Sequence, residues 1–230
     1  MDESRWKIQS EHSGYAWSMS STTSTDVVFK LADSRGIGNA KDLIGKDYQG
    51  IGITDRYSAY KNLFWLHQIC WAHIQRTAKD LTHLECLEEA KLKHVTGFYN
   101  QLATIYATIR ECQQQPFDQA TRDDQAETLL KQVTELCQPH KLDPKKLTNL
   151  KAGILEYQNS LFLCLTVDGI PADNNRAERD IKQLVIKRRK SLGSKTTKGA
   201  RTLEVLMSVC VSLYKRDRDN FFLNFHSLIA

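Results

Sequence analysis

The sequence predicts an α/β protein: a mixed sheet flanked by helices and interrupted by an all-helical block. Three observations lead there. The first third carries short aromatic or β-branched segments separated by Gly, Ser and Thr, and strand-like and helix-like stretches then alternate. From about Ile74 to Asn159, apolar residues recur at helical spacing. Adjacent short strands followed by β-α alternation form a sheet with helices packed on it.

Taken in order, Arg5-Trp6-Lys7-Ile8, Tyr15 to Met19 and Val27 to Leu31 are strands, with Gly14 expected in a turn joining the first two. Ala40 to Ile44 is a short helix stopped by Gly45. Gly50 to Thr54 is an apolar strand ending on Asp55, Ser58 to Phe64 a short helix or turn, and His67 to Trp71 a further strand. Helical spacing carries Leu81, Leu92, Val95, Phe98, Leu102, Ile105 and Ile109 as far as Cys112, and Pro116 breaks it. A second helix runs from Ala120 to Cys137. A third starts at Asp143-Pro144, read as an acidic N-cap followed by proline at the first helical position, and reaches Asn159. Asp173-Asn174-Asn175 supplies cap residues for a helix on which Glu178, Ile181 and Val185 fall at i, i+3 and i+7, so Glu178 borders the apolar stripe. After a loop from Ser194 to Gly199, the last helix is expected to pack through Leu203, Leu206, Val209, Cys210 and Leu213, ahead of a Phe-rich end.

Composition narrows the function classes. With 41% hydrophobic and 26% charged residues, the chain of 230 residues has an ordinary globular balance and can bury a core. No apolar run approaches the roughly 20 residues of a membrane span, and the N-terminus lacks the features of a signal peptide, so a cytoplasmic protein with no membrane partner is expected. The six scattered cysteines, without a CxxC pair, read as reduced thiols packed in helices. The four tryptophans read as core residues and not as base-stacking platforms.

Charge is unevenly placed. Between Arg176 and Arg201 the chain has ten Lys or Arg against two acids, so the remainder is net negative although the whole carries +5. That segment is either a solvated helix face or the footprint of a polyanion such as nucleic acid. Lys187-Arg188-Arg189-Lys190, with Arg176, Arg179, Lys195, Lys198 and Arg201, is the candidate set for phosphate contacts and would make binding steeply salt-dependent.

Three acids are candidates for chemistry. Asp55 ends an apolar strand, where functional groups of open sheets gather, and either caps the next turn or holds a cation. Glu178 is either an ordinary surface partner of Arg179 and Lys182 or, at the edge of the apolar stripe, a functional acid. Asp2 adjoins the terminus, where fraying is common. Cys70-x-x-His73, with His67 upstream, invites a zinc reading, but structural zinc takes four ligands and no second pair is present.

In combination the motifs are specific. Asp2-Glu3-Ser4-Arg5-Trp6, Thr54-Asp55-Arg56-Tyr57-Ser58-Ala59-Tyr60, Cys70-Trp71-Ala72-His73 and Asn174-Asn175-Arg176-Ala177-Glu178-Arg179 occur in that order, followed by Leu184 to Lys190, Gly193 and Gly199 to Arg201. The sequence resembles the DDE transposases of the insertion-sequence-66 family over nearly its whole length, thinning from Thr77 to Asp168. Ser4 stands where the family has threonine. The resemblance implies a ribonuclease-H-like mixed sheet: residues 1–76 as its strands and first helices, 77–168 as a helical insertion, and 169–230 as C-terminal helices completing the core. It implies Asp2, Asp55 and Glu178 as ligands of two divalent cations, Mg²⁺ or Mn²⁺, and places Cys70 and His73 near the active site, where His73 is a candidate for positioning DNA or the scissile phosphate. Two such cations, about 3.5–4 Å apart, can stabilise the attacking and leaving oxygens of an in-line displacement, and Mg²⁺ suits a few carboxylates.

The activity implied is metal-dependent DNA strand cleavage and strand transfer by a bacterial, cytoplasmic enzyme. Its partners would be double-stranded DNA, at transposon ends and target, and further copies of the full-length protein. Full-length members carry N-terminal segments for DNA recognition and oligomerisation, and this chain begins one residue before Asp2. Two other readings stay open: a truncated, inactive remnant that at most binds DNA, and a nuclease of the same fold.

Overall fold

The structure, a computed structural model, describes residues 1–8, 12–45, 47–85 and 87–229, with His12 and Ser13 described by their backbone alone. It divides into two compact units, each assembled from separate stretches of chain. A sheet unit holds residues 1–50, 57–65 and 174–230, and a helical unit holds 51–56 and 66–173.

In the sheet unit, β1 (Asp2–Ile8), β2 (His12–Ser20) and β3 (Val27–Ala32) form an antiparallel meander in that order. Asp2 pairs with Ser18, and Trp6 pairs with Gly14. Gly14 is therefore inside β2 and not in a turn. A Cβ at Gly14 would lie 2.4 Å from the Ala32 carbonyl oxygen, so a glycine is needed for the close approach of β3. Side chains alternate across the sheet, with Asp2, Ser4 and Trp6 on one face and Glu3, Arg5 and Lys7 on the other. On the first face Trp6, Ala16, Phe29 and Leu31 pack with Leu184 of α7 (Asn175–Ser191) and Ala200 of α8 (Thr197–Arg216). Trp17, on the second, packs with Tyr60 and with Ala40 of α1 (Ile37–Ile44), a helix that ends as expected at Gly45, φ 90°.

Helix α8 also closes the open edge of β3. The backbone N–H groups of Leu31, Phe29 and Val27 donate to Glu204 Oε2 at 2.8 Å and to Ser208 Oγ and Ser212 Oγ at 2.9 Å each. Four helical residues rise about 6 Å and two strand residues nearly 7 Å, so acceptors at i, i+4 and i+8 match alternate donors. This polar stripe explains why Leu206, expected to pack, is 46% exposed. The helix turns Glu204, Ser208 and Ser212 to the strand, and apolar periodicity cannot register that face. The final helix, α9 (Phe221–Ile229), leaves Phe222 and Leu223 largely exposed.

The helical unit contains a parallel pair, β4 (Ile51–Thr54) and β5 (Leu66–Ile69), followed by α2 (Trp71–Leu81), α3 (Glu89–Gln114), α4 (Gln119–Leu136), α5 (Lys145–Glu156) and the single turn α6 (Leu163–Thr166). The described strands thus form two sheets, one of three antiparallel strands and one of two parallel strands, and not the single mixed sheet expected. Trp71, Leu102, Ile109, Leu147 and Ile154 are fully buried at the core of this unit. The Trp71 indole N–H donates to the Leu161 carbonyl at 2.7 Å, and buried Gln68 both donates to Leu161 and accepts from Cys164 N–H.

Asp143 does not cap α5. Its carboxylate accepts from Lys151 Nζ at 2.9 Å and lies 2.8 Å from His94 Nε2, leaving Pro144 as the cap residue. Cys70, Cys112, Cys137 and Cys164 are buried thiols and Cys210 a half-buried one, none of them in a disulfide, while Cys86 lies outside the described residues. Trp6, Trp17 and Trp71 are core, but Trp65 is 74% exposed, because it sits in the loop leading to β5. Among the described residues, no helix is long and apolar enough to cross a membrane.

Candidate active site

Asp2 and Glu178 belong to the sheet unit. Asp2 opens β1 on the face that carries Trp6, and Glu178 lies in the first turn of α7, where unsatisfied backbone N–H groups favour an anion. The two elements are tied together beside these acids. Buried Ser18, opposite Asp2 in the sheet, places its Oγ 3.5 Å from the carbonyls of both Asp2 and Ala177. The Glu178 backbone N–H donates to the Asn174 carbonyl at 3.1 Å.

Burial pushes the Asp2 carboxyl up to about 7, and the negative charges of Glu3 and Glu178 add to the effect against the Glu3 backbone N–H and the terminal amine. Glu3 points to the opposite face, where it accepts from Arg35 and Tyr60. A buried carboxyl facing the charge of a second one either holds a proton or calls for a cation. The donors are carboxylate oxygens, the chemistry Mg²⁺ and Mn²⁺ prefer.

Asp55, Cys70 and His73 belong to the helical unit, at the carboxyl end of the parallel pair. Asp55 follows the last residue of β4. One further ladder bond, Cys70 N–H to the Thr54 carbonyl at 2.8 Å, sets Cys70 beside that end and leads directly into α2. The Trp71 N–H donates to the Ala172 carbonyl at 2.9 Å, which fixes the start of α2 and with it the half-buried His73 in its first turn. Cys70 is wholly buried.

Arg56, next to Asp55, is drawn into the unit: burial pulls its guanidinium below the usual value, and Asp55 opposes the shift. Its Nη1 lies 3.5 Å from the Leu150 carbonyl, in space left by the missing side chain of Gly153.

The basic candidates separate into two groups. Arg176 donates to the carbonyls of Thr22 and Ser24, Arg188 to the carbonyl of Arg5, and Arg201 pairs with Glu204. Arg179, Lys187, Arg189, Lys190, Lys195 and Lys198 are exposed. The acids on the same elements are engaged internally: Asp180 with Lys215 and Ser20, Glu204 with Arg201 and the Leu31 N–H.

Residue types give Ser18 and Arg56 no place as site neighbours, mark Asn174 only as a cap residue and set His67 only beside the Cys70-x-x-His73 motif. Asn174 and Arg56 stand inside the quoted motifs, which is the available signal; Ser18 carries none.

The sequence pattern of the transposase IS66 family matches residues 1–202 of the chain. The chain belongs to this family of DDE-type transposases. No curated protein and no solved structure gives a significant match.

Proposed function

We propose that the chain is the catalytic core of a transposase that cuts DNA at transposon ends and joins the freed 3′-hydroxyl to target DNA. The observation that carries this reading is the match to a DDE-type transposase family over residues 1–202, with Asp2 on β1 tied through Ser18 and Asn174 to the start of the helix that carries Glu178. Asp2 and Glu178, with Asp55 assigned by its motif, would hold divalent metal. Bound there, Mg²⁺ or Mn²⁺ would supply the positive charge that activates a water or 3′-hydroxyl and stabilises the leaving oxygen.

The remaining work falls to other side chains. His73, fixed at the start of α2, would position the scissile phosphate. Lys187, Arg189, Lys190, Lys195, Lys198 and Arg179 are exposed and form no ion pair among the described residues, so they would hold the DNA backbone. The Ser194 N–H donates to the Lys7 carbonyl at 2.8 Å and Arg188 donates to the Arg5 carbonyl, which brings β1 and the loop after α7 side by side. Arg176, Arg188 and Arg201 serve first as internal ties.

The test is a strand-transfer assay on a labelled transposon-end duplex with Mg²⁺ or Mn²⁺, comparing the chain with its Asp55→Ala variant. Metal-dependent joined product from the wild-type chain alone is expected. Equal product from both, or none from either, would overturn the reading.

A further inference from the structure

The residue before α7 has a cap position but not a cap's behaviour. Asn is among the preferred N-cap residues because its side-chain oxygen accepts a free N–H of the first turn. At Asn174 no such bond forms. The side chain, 5% exposed, turns to the other chain terminus: Oδ1 accepts from the Met1 nitrogen at 3.2 Å, and Nδ2 donates to the Met1 carbonyl at 2.6 Å. One amide thus grips both backbone groups of the residue preceding Asp2, while the Asn174 carbonyl takes the N–H of Glu178. A departure from local capping rules at a buried polar residue is expected where position matters more than helix stability.

We infer that Asn174 is a positioning residue, which holds Asp2 in register with Glu178 so that their carboxylates converge on one divalent cation. The inference rests on the metal-binding reading of those two acids. Ser18 reinforces the same junction from the sheet side. Without the amide, both of these bonds to Met1 are lost, and Asp2 would sample positions too far from Glu178 to share a cation. Groups that orient metal ligands in this indirect way typically change affinity by about 10–100-fold when removed.

The test is Mn²⁺ binding to the DNA-free chain, by calorimetry or by the loss of free-ion EPR signal. Asn174→Ser retains a residue suited to a helix start but is too short to reach both Met1 groups. Asn174→Ala serves as a second variant should the first fold poorly, and thermal melting monitors the fold. Ser194→Ala is the control, because Ser194 Oγ accepts the Trp6 indole N–H at 3.1 Å and so steadies β1 away from Asp2. The expected result is wild-type binding that Asp2→Asn removes, at least tenfold weaker binding in the Asn174 variants with melting within a few degrees of wild type, and unchanged affinity in Ser194→Ala. Wild-type affinity in the Asn174 variants, or an equal loss in Ser194→Ala, would overturn the positioning role alone. Absence of Mn²⁺ binding to the wild-type chain, or binding indifferent to Asp2→Asn, would instead remove the metal reading itself and the latch with it.

Discussion

Thr54 Oγ1 and His67 Nε2 lie 2.7 Å apart, and the same hydroxyl donates its single hydrogen to the Asp55 carbonyl at 2.7 Å. His67 is therefore the donor in this contact, through Nε2. Burial lowers its pKa to about 4, with Asp55 working the other way. The bond joins the two parallel strands directly behind Asp55.

Between pH 6.5 and about 4 the unfolded chain binds a proton at this histidine that the folded chain does not. Its contribution is present above pH 6.5 and is lost as the pH falls through 4, by up to about 3 kcal/mol. His67→Gln should flatten that part of the acid limb in urea unfolding followed from pH 7 to 4. An imidazole that titrates near 6.5 by NMR would show the assignment to be wrong.

Asp2 gives the opposite slope. Its folded pKa is raised, so stability is full below about 3.8 and declines as the pH rises through 7. In chelator-containing buffer, Asp2→Asn should stabilise the chain at pH 8 by up to about 4 kcal/mol and have no such effect at pH 4. The two slopes overlap, so each variant is to be compared with wild type at every pH. Equal melting temperatures of wild type and Asp2→Asn at pH 8 would refute the burial of that charge.

Asp143 and Lys151 form an ion pair in which both side chains are 5% exposed. Removing one partner strands the other, so Asp143→Ala should cost about 3–5 kcal/mol in urea unfolding. The double variant Asp143→Leu, Lys151→Met should recover much of that loss. If the double variant is as unstable as the single one, the pair is not the source of the cost.

The basic residues differ in role and should differ in salt response. Replacing Lys187, Arg189 or Lys190 by Gln should lower the slope of log affinity for duplex DNA against log salt by about 1 each. Arg176→Gln should mainly lower the melting temperature, because it frees the carbonyls of Thr22 and Ser24. The reverse pattern would reassign the two groups.

The strand ending on Asp55, the helix stopped by Gly45 and the helix carrying Glu178 are legible in the sequence, since each combines a hydrophobic period with a stop or start residue. The β3–α8 junction is not. It is made of Glu204, Ser208 and Ser212 donating or accepting across a strand edge, and polar spacing of this kind carries no hydrophobic signal. Asp143 and Asn174 show a related limit: both have the residue type of a cap, but side chain or backbone partners outside the first turn, Lys151 and Met1, claim their side chains. The motifs identify the family of the chain, whereas the neighbours of the acids emerge only from the folded structure.

The sheet unit takes its strands from residues 2–32, and the helices that cover the Trp6 face from residues after 174. During synthesis, Trp6, Phe29 and Leu31 leave the ribosome long before Leu184 and Ala200 exist to cover them, and the edge of β3 has no acceptors until Glu204 is made. The helical unit, nearly continuous from 66 to 173, can be complete by then. Exposed apolar strands with an open edge are the species that aggregate or recruit chaperones. The hazard lasts for most of the translation time, and a release before residue 212 would leave it permanent.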